Sequence, residues 1–221
     1  NNYEGYNNAV KAVMRKSFGG IIGTVSDIIT VPDGYATAIE TALGNGLQNI
    51  VCKDDASAKA AVSWLKSAKA GRATFLPIES IRAERIRPDN SVVNADGYIG
   101  IASDLIEYDS KYSNIAEYLL CRVIVADNMD NAVIIAKKNI RGFRIVTLDG
   151  EVISSAGSIT GGKYVNKSAN LLDRKKEIEE LGAELEKLRS RISQLKSDRA
   201  ELSDKLAEAN SKKGSLLENA Q

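Results

Sequence analysis

The chain has 221 residues, with 30 Lys and Arg against 29 Asp and Glu, a formal net charge of +1 and no histidine. Without histidine a Ser-His-Asp triad, a Cys-His nucleophile and a His-ligated zinc are excluded, and Cys52 and Cys121 alone cannot close a structural zinc site. Each cysteine sits in an apolar run, which reads as a buried, reduced thiol of a cytoplasmic protein; no stretch has the apolar length of a membrane helix, and no signal peptide opens the chain.

Taken in order, Ala9, Val10, Val13 and Met14 fall on one stripe of a short helix ending near Lys16, and Phe18-Gly19-Gly20 breaks it. Ile21 to Ile29 is β-branched enough for a strand, and Pro32-Asp33-Gly34 turns the chain into a helix carrying Tyr35, Ala38, Ile39, Ala42 and Leu43, stopped by Gly44-Asn45-Gly46. Leu47 to Cys52 reads as a strand, Asp55 to Ala68 as a helix with Trp64 in its core face, and Arg72 to Pro77 as a strand. Glu79 to Ala95 is charged and turn-like, a connector. The alternation then resumes: helix from Tyr112 to Leu120, strand from Arg122 to Val125, helix from Asn128 to Lys138, strand from Phe143 to Leu148.

Laid together, Ile50-Val51-Cys52-Lys53-Asp54 answers Val123-Ile124-Val125-Ala126-Asp127, the mark of a degenerate internal duplication. Asp55 and Asn128 are the residue types that cap helices, a simpler reading than acidic catalytic groups at strand ends. Asp149-Gly150 between apolar runs signals a hairpin, because its turn needs positive φ. The fold class is therefore mixed α/β, two-lobed, with the two lobes related by pseudo-duplication.

At Ala156-Gly157-Ser158-Ile159-Thr160-Gly161-Gly162 the composition changes. All three prolines lie before it, and no aromatic follows Tyr164. Beyond it a heptad places Leu171, Ile178, Leu185, Ile192, Arg199, Leu206 and Lys213 at a positions and Arg174, Leu181, Leu188, Leu195, Leu202, Ala209 and Leu216 at d positions. Such a stripe implies a long coiled-coil helix that must find a partner, either a segment outside this chain or another molecule. The boundaries expected are a leading helix over 1–16, a first lobe and connector over 17–95, a second lobe over 96–162, and a coiled-coil arm over 163–221.

Two functional readings compete at the glycines. Residues 157–163 nearly spell a phosphate-binding loop, the basis for a nucleotide-binding enzyme, but Tyr164 stands where a Ser or Thr hydroxyl must ligate magnesium. The other reading is that Gly157, Ser158, Gly161 and Gly162 let two backbones lie close at an interface. Lys163, Lys167, Arg174, Lys175 and Lys176 follow with only Asp173 among them, and Lys11 and Arg15 add positive charge at the other flank. If the two flanks converge they form a patch for phosphate backbones, non-specific and salt-sensitive; the bland alternative is the solvated face of a helix in a purely structural spacer.

The runs Gly20-Ile21-Ile22-Gly23-Thr24-Val25-Ser26-Asp27-Ile28-Ile29, Tyr35-Ala36-Thr37-Ala38-Ile39-Glu40-Thr41-Ala42-Leu43-Gly44, Leu47-Gln48-Asn49-Ile50-Val51, Gly71-Arg72-Ala73-Thr74-Phe75-Leu76-Pro77 and Gly157-Ser158-Ile159-Thr160-Gly161-Gly162 resemble, in order, the hinge domain of structural maintenance of chromosomes (SMC) proteins, most like the bacterial type. The resemblance implies a two-lobed hinge midway along an antiparallel coiled coil whose far end carries an ABC-type ATPase head. It also implies a homodimer in which lobe one of each copy meets lobe two of the other at the glycine motif, and weak DNA contact at the basic hinge and coil junction. On this reading the fragment is not an enzyme, needs no cofactor, metal or membrane, and serves chromosome condensation and segregation in the cytoplasm, on the nucleoid.

Overall fold

The computed structural model describes residues 5–162 and 171–218, with side chains of the last helix described for 181–207, 209, 210 and 212. The chain forms two compact units, Asn1–Asp173 and Arg174–Gln221.

In the first unit α1 (Asn8–Lys16) turns Ala9, Val10 and Val13 inward. Where one strand was expected over 21–29, the chain makes β1 (Ile21–Thr24), a single helical turn α2 (Val25–Ile28), and a two-residue β2 (Ile29–Thr30). The break has a local cause: Asp27 Oδ2 accepts from both the backbone N–H and the hydroxyl of Thr24, at 2.8 Å each, a helix start strong enough to override the β propensity around it. After α3 (Ala36–Leu43) the chain tightens into a 3-10 turn over Gly44–Gln48, so the strand expected from Leu47 begins only at β3 (Ile50–Cys52). Then come α4 (Asp55–Ser67) and β4 (Phe75–Pro77). β3 pairs antiparallel with β1 on one side and parallel with β4 on the other.

The expected connector is more than a linker. It holds α5 (Asn90–Val93), and Val92 and Ala95 are buried with Ile124 and Ile135 in the core of the second half. The second half continues with β5 (Tyr98–Ile101), β6 (Glu107–Tyr108), α6 (Ser113–Leu120), β7 (Val123–Ala126), α7 (Met129–Lys138), β8 (Arg144–Thr147), β9 (Val152–Ile153) and β10 (Ile159–Thr160). Its sheet runs β10-β9-β8-β7-β5, with β7 and β8 parallel and the rest antiparallel.

The two halves repeat each other closely. Each contains a Gly-x-Ile-Gly strand that pairs antiparallel with the strand after next through an irregular step, Ile21 to Gly23 in β1 against β3 and Tyr98 to Gly100 in β5 against β7. Gly23 faces Val51 as Gly100 faces Val125, so Cys52 corresponds to Ala126 and Asp54 to Asn128, one residue out of step with the alignment read from sequence. The caps agree with this register. Asp54 accepts from Ser57 N–H at 2.8 Å and Asn128 from Asn131 N–H at 2.9 Å, so the cap of α4 is Asp54, not Asp55, while Asn128 caps α7 as expected. Equivalent pieces also meet: β2 pairs antiparallel with β6, and α3 packs against α6.

Burial follows strand alternation. Val123, Val125 and Val146 join the large core that includes α3, α6 and the first sheet, whereas Ile124, Ala126, Ile145 and Ile153 face the smaller core under α5 and α7. A parallel pair covered on both faces needs such a continuous apolar run. Arg144 crosses between the halves. Its guanidinium donates to the Ala42 carbonyl near the end of α3, and burial lowers its pKa. Trp64 lies at the rim, not in the core: half-buried, edge-on to Phe18 with ring centroids 5.4 Å apart, and under the Lys16 ammonium.

The second unit is helical. α8 (Leu171–Glu218) is one uninterrupted helix of 48 residues, about 72 Å long at 1.5 Å per residue. The heptad residues Leu181, Leu185, Leu188, Ile192, Leu195, Leu202 and Leu206 are all exposed, while Glu186–Arg189 and Glu201–Lys205 form ion pairs along the helix. No helix among the described residues is long and apolar enough to cross a membrane.

Candidate functional site

The glycine motif is a hairpin, and its geometry copies the hairpin just before it. In the first, Thr147 N–H donates to Glu151 C=O (2.9 Å), Gly150 N–H to Thr147 C=O (2.9 Å) and Glu151 N–H to Thr147 Oγ1 (3.0 Å). In the second, Ser154 N–H donates to Ser158 C=O (2.8 Å), Gly157 N–H to Ser154 C=O (2.9 Å) and Ser158 N–H to Ser154 Oγ (3.1 Å). Both are three-residue loops that end on a left-handed glycine, φ +85° at Gly150 and +90° at Gly157, not the two-residue turn suggested by Asp149-Gly150. The turn itself therefore requires Gly157. Ile159 and Thr160 form strand where a phosphate loop would have to wrap, which does not support the nucleotide-binding reading of this segment.

Gly161 and Gly162 are another matter. Both are exposed at the end of β10; a Cβ on Gly162 would meet nothing, and one on Gly161 only the Glu151 side chain, 3.5 Å away. Among the described residues only the Glu151 side chain comes near them. β10 is itself an edge strand, with Ile159 59% exposed.

Across the duplication the two sheets are unequal. β8 hydrogen-bonds to β9, which continues into β10, whereas its counterpart β4 ends the first sheet, with no further strand beyond it among the described residues. Phe75 and Pro77 on β4 are half-buried. Sequence reasoning marked the glycines but missed this edge; the signal lay in the duplication, whose first copy lacks a strand to match β9.

The proposed basic residues divide. Lys11 is half-buried and Arg15 exposed on α1. Lys163 and Lys167 lie outside the described residues, and Arg174, Lys175 and Lys176 belong to α8 with side chains outside the described set. Cys52 and Cys121 are free and buried; burial, ahead of repulsion from Asp54 and Asp55, pushes the Cys52 thiol up to about 11, and burial raises Cys121 as well. Neither is primed as a nucleophile.

The chain is a duplicated mixed α/β domain with edge strands at β4 and β10, followed by a long helix. The family model of the SMC proteins flexible hinge domain matches residues 18–136, and the chain belongs to that family. The chromosome partition protein Smc of Halothermothrix orenii is 44% identical over 181 residues, 80% of this chain and 15% of that protein. That of Bacillus subtilis is 36% identical over 183 residues, 81% of this chain and again 15% of the relative. The chain thus spans about a seventh of the length of the curated relatives it matches. Among solved structures, an asymmetric dimer of the Geobacillus stearothermophilus SMC hinge domain superposes with a TM-score of 0.75 at 38% identity, covering 88% of this chain and 80% of that one. The Pyrococcus furiosus SMC hinge domain gives 0.59 at 36% identity, covering 73% and 84%.

Proposed function

We propose that this chain is the homodimerising hinge of a chromosome condensation and segregation ATPase, with residues 17–95 and 96–162 as its lobes and 163–221 as one arm of its coiled coil. The observation that carries the reading is the unequal pair of sheets. Among the described residues β4 has no neighbour on the edge where its counterpart β8 is paired, and β10 offers an exposed strand with glycines at its end, so β10 of a second copy completes the first sheet by strand addition. Gly161 and Gly162, with Gly157 and Ser158 in the adjoining loop, keep side chains out of the way of that approach. Repetition of the contact closes a two-fold ring. The fragment itself is non-catalytic, and the nucleotide-hydrolysing heads lie elsewhere in the longer protein.

The exposed seam of α8 takes a helix from the other arm, since such a stripe is unstable in water alone. Lys163, Lys167 and Arg174 to Lys176, with Lys11 and Arg15, contact DNA weakly and without sequence preference. Sedimentation equilibrium tests the first claim: the wild-type chain is expected as a dimer, and Gly161→Val, at a position whose backbone and surroundings accept a side chain, as a monomer of unchanged fold. A dimer that persists in Gly161→Val overturns it. For DNA, a gel shift that weakens with salt and with Lys163→Gln and Lys167→Gln is expected; affinity that survives both removes the basic patch.

A further inference from the structure

The edge strand of the first sheet has unlike ends. Between Asp55 and Glu79 the chain carries Lys59, Lys66, Lys69 and Arg72 and no carboxylate, and the last three of these are exposed ahead of β4. α1 adds to that end: a Cβ on Gly71 would lie 3.4 Å from that of Ala9, and no carboxylate occurs from Gly5 to Ser26. The start of β4 is therefore cationic. At its other end Glu79 N–H donates to Lys53 C=O at 3.2 Å and the Ser80 hydroxyl to Asp55 at 2.6 Å, so that Asp54, Asp55 and Glu79 outnumber Lys53 and Arg82.

β10 and the hairpin behind it carry the opposite sign to the start of β4. From Ile145 to Gly162 the chain has Asp149 and Glu151 and, apart from them, no charged residue. Thr160 pairs with Val152, so Gly161 comes across from Glu151, and a Cβ there would sit 3.5 Å from Glu151 Oε1. Without that Cβ the carboxylate, one strand in from the edge, stays open across the end of β10. Its Oε2 accepts from the Thr147 hydroxyl at 3.2 Å. Neither Glu151 nor Arg72 is in an ion pair among the described residues.

Two things set the direction in which a second copy can add its strand. By the duplication β4 corresponds to β8, whose neighbour β9 runs antiparallel to it. A strand taking the same place on β4 brings its Gly161 end to the cationic start. By charge, the parallel alternative would set Glu151 beside Glu79, and like charges across an interface select against such an arrangement. We infer that β10 of a second copy lies antiparallel on β4, with Glu151 of each copy paired to Arg72 of the other. The pair rests on the strand addition proposed above, and fixes its direction. Because a two-fold contact repeats itself, each dimer holds the pair twice.

Sedimentation equilibrium of the full chain at low ionic strength, where charge pairs are least screened, reads the result. Arg72→Glu and Glu151→Arg, each alone, set like charges together at both contacts and are expected to weaken the dimer about tenfold or more. Mixed in equal amounts, the two variants form a ring with one native pair and one pair of exchanged signs, and dimerisation is expected to return to within about threefold of wild type. That recovery also shows that both variants are folded. Glu79→Lys, at the far end of β4, should leave the dimer unchanged; a tighter dimer in that variant would mean the parallel direction and overturn the pair. A mixture as weak as its parts, or Arg72→Glu dimerising like wild type while Gly161→Val is a monomer, overturns the pair and leaves the strand addition standing. If Gly161→Val dimerises as well, the strand addition falls and the pair with it.

Discussion

The two halves of the hinge are built from one plan, and they differ where an edge is exposed. In the second half, the chain leaving β8 turns back twice through matching three-residue loops and covers that strand with β9 and β10. In the first half, the chain leaving β4 departs into the segment that becomes α5, and no described residue pairs with the strand on that side. An unpaired edge in a natural sheet is blunted or used. Here the strand is three residues long and ends on Pro77, which limits runaway pairing yet leaves room for one specific neighbour.

The largest effect expected from this comparison falls on assembly. Ile159→Asp charges the outer strand at a side chain that is 59% exposed, and is expected to weaken the dimer by about 100-fold, the range of a central interface residue. Sedimentation equilibrium reads the mass, and a urea titration at one fixed protein concentration separates loss of dimer from loss of fold. A variant that stays dimeric ends the claim that β10 seeks β4.

Next in size is the core, where the comparison asks whether the halves are one folding unit. Ile50 and Ile124 occupy equivalent positions, opposite Thr24 and Ile101, and both are fully buried. Truncating either to alanine is expected to cost about 3 kcal/mol. Because the larger core runs from α3 and α6 through both sheets, each variant should still unfold in a single transition by fluorescence and circular dichroism alike. Two transitions would make the lobes independent.

Smaller again is the pair Gly20 and Gly97, which hold the same place ahead of β1 and β5 at φ +82° and +76°. A Cβ on Gly20 would press on the Ser57 hydroxyl at 2.0 Å, while one on Gly97 would meet Asp127 Oδ1 at 2.2 Å and the stiffer Asn131 Cβ at 2.5 Å. Backbone strain is common to both, about 1–3 kcal/mol, so Gly97→Ala is expected to lower the melting temperature further than Gly20→Ala. The reverse order would mean that the Asp127 to Asn131 side chains yield more easily than Ser57.

Much of this plan is readable from the chain. The βαβ units announce themselves because an apolar run, a capping residue and a helical stripe follow one another, and the long heptad admits only a helix. The duplication is visible too, yet one residue out of step: Asp54 and Asp127 match by identity, whereas the paired caps are Asp54 and Asn128. The strand Tyr98–Ile101 escapes notice because Gly100 interrupts its short apolar pattern and three of its four residues are only half-buried. The turn at Val25–Ile28 hides inside a β-branched run, although Thr24 and Asp27 at capping-box spacing were there to be read. The edge of β4 is a product of tertiary placement, and no local pattern encodes it.

The smallest effect is the most discriminating, because the two caps are the same device in titrating and non-titrating form. Asn128→Ala is expected to cost about 1 kcal/mol at any pH, as loss of a cap does. Asp54 accepts from the backbone N–H and the hydroxyl of Ser57, and these hydrogen bonds hold its pKa below the usual carboxylate value. A carboxyl group whose pKa is lowered by folding stabilises the folded state above its unfolded pKa, and that contribution fades as pH falls through the folded one. The cap on α4 should therefore weaken in acid while the cap on α7 does not. Asp54→Asn keeps an oxygen acceptor and removes the titration, so it should be nearly neutral in stability at pH 7 and should flatten the acid limb, measured as urea midpoint against pH from 7 down to about 3, below the carboxylate range. An acid limb as steep in Asp54→Asn as in the wild type would place the titrating groups elsewhere and leave the two caps equivalent.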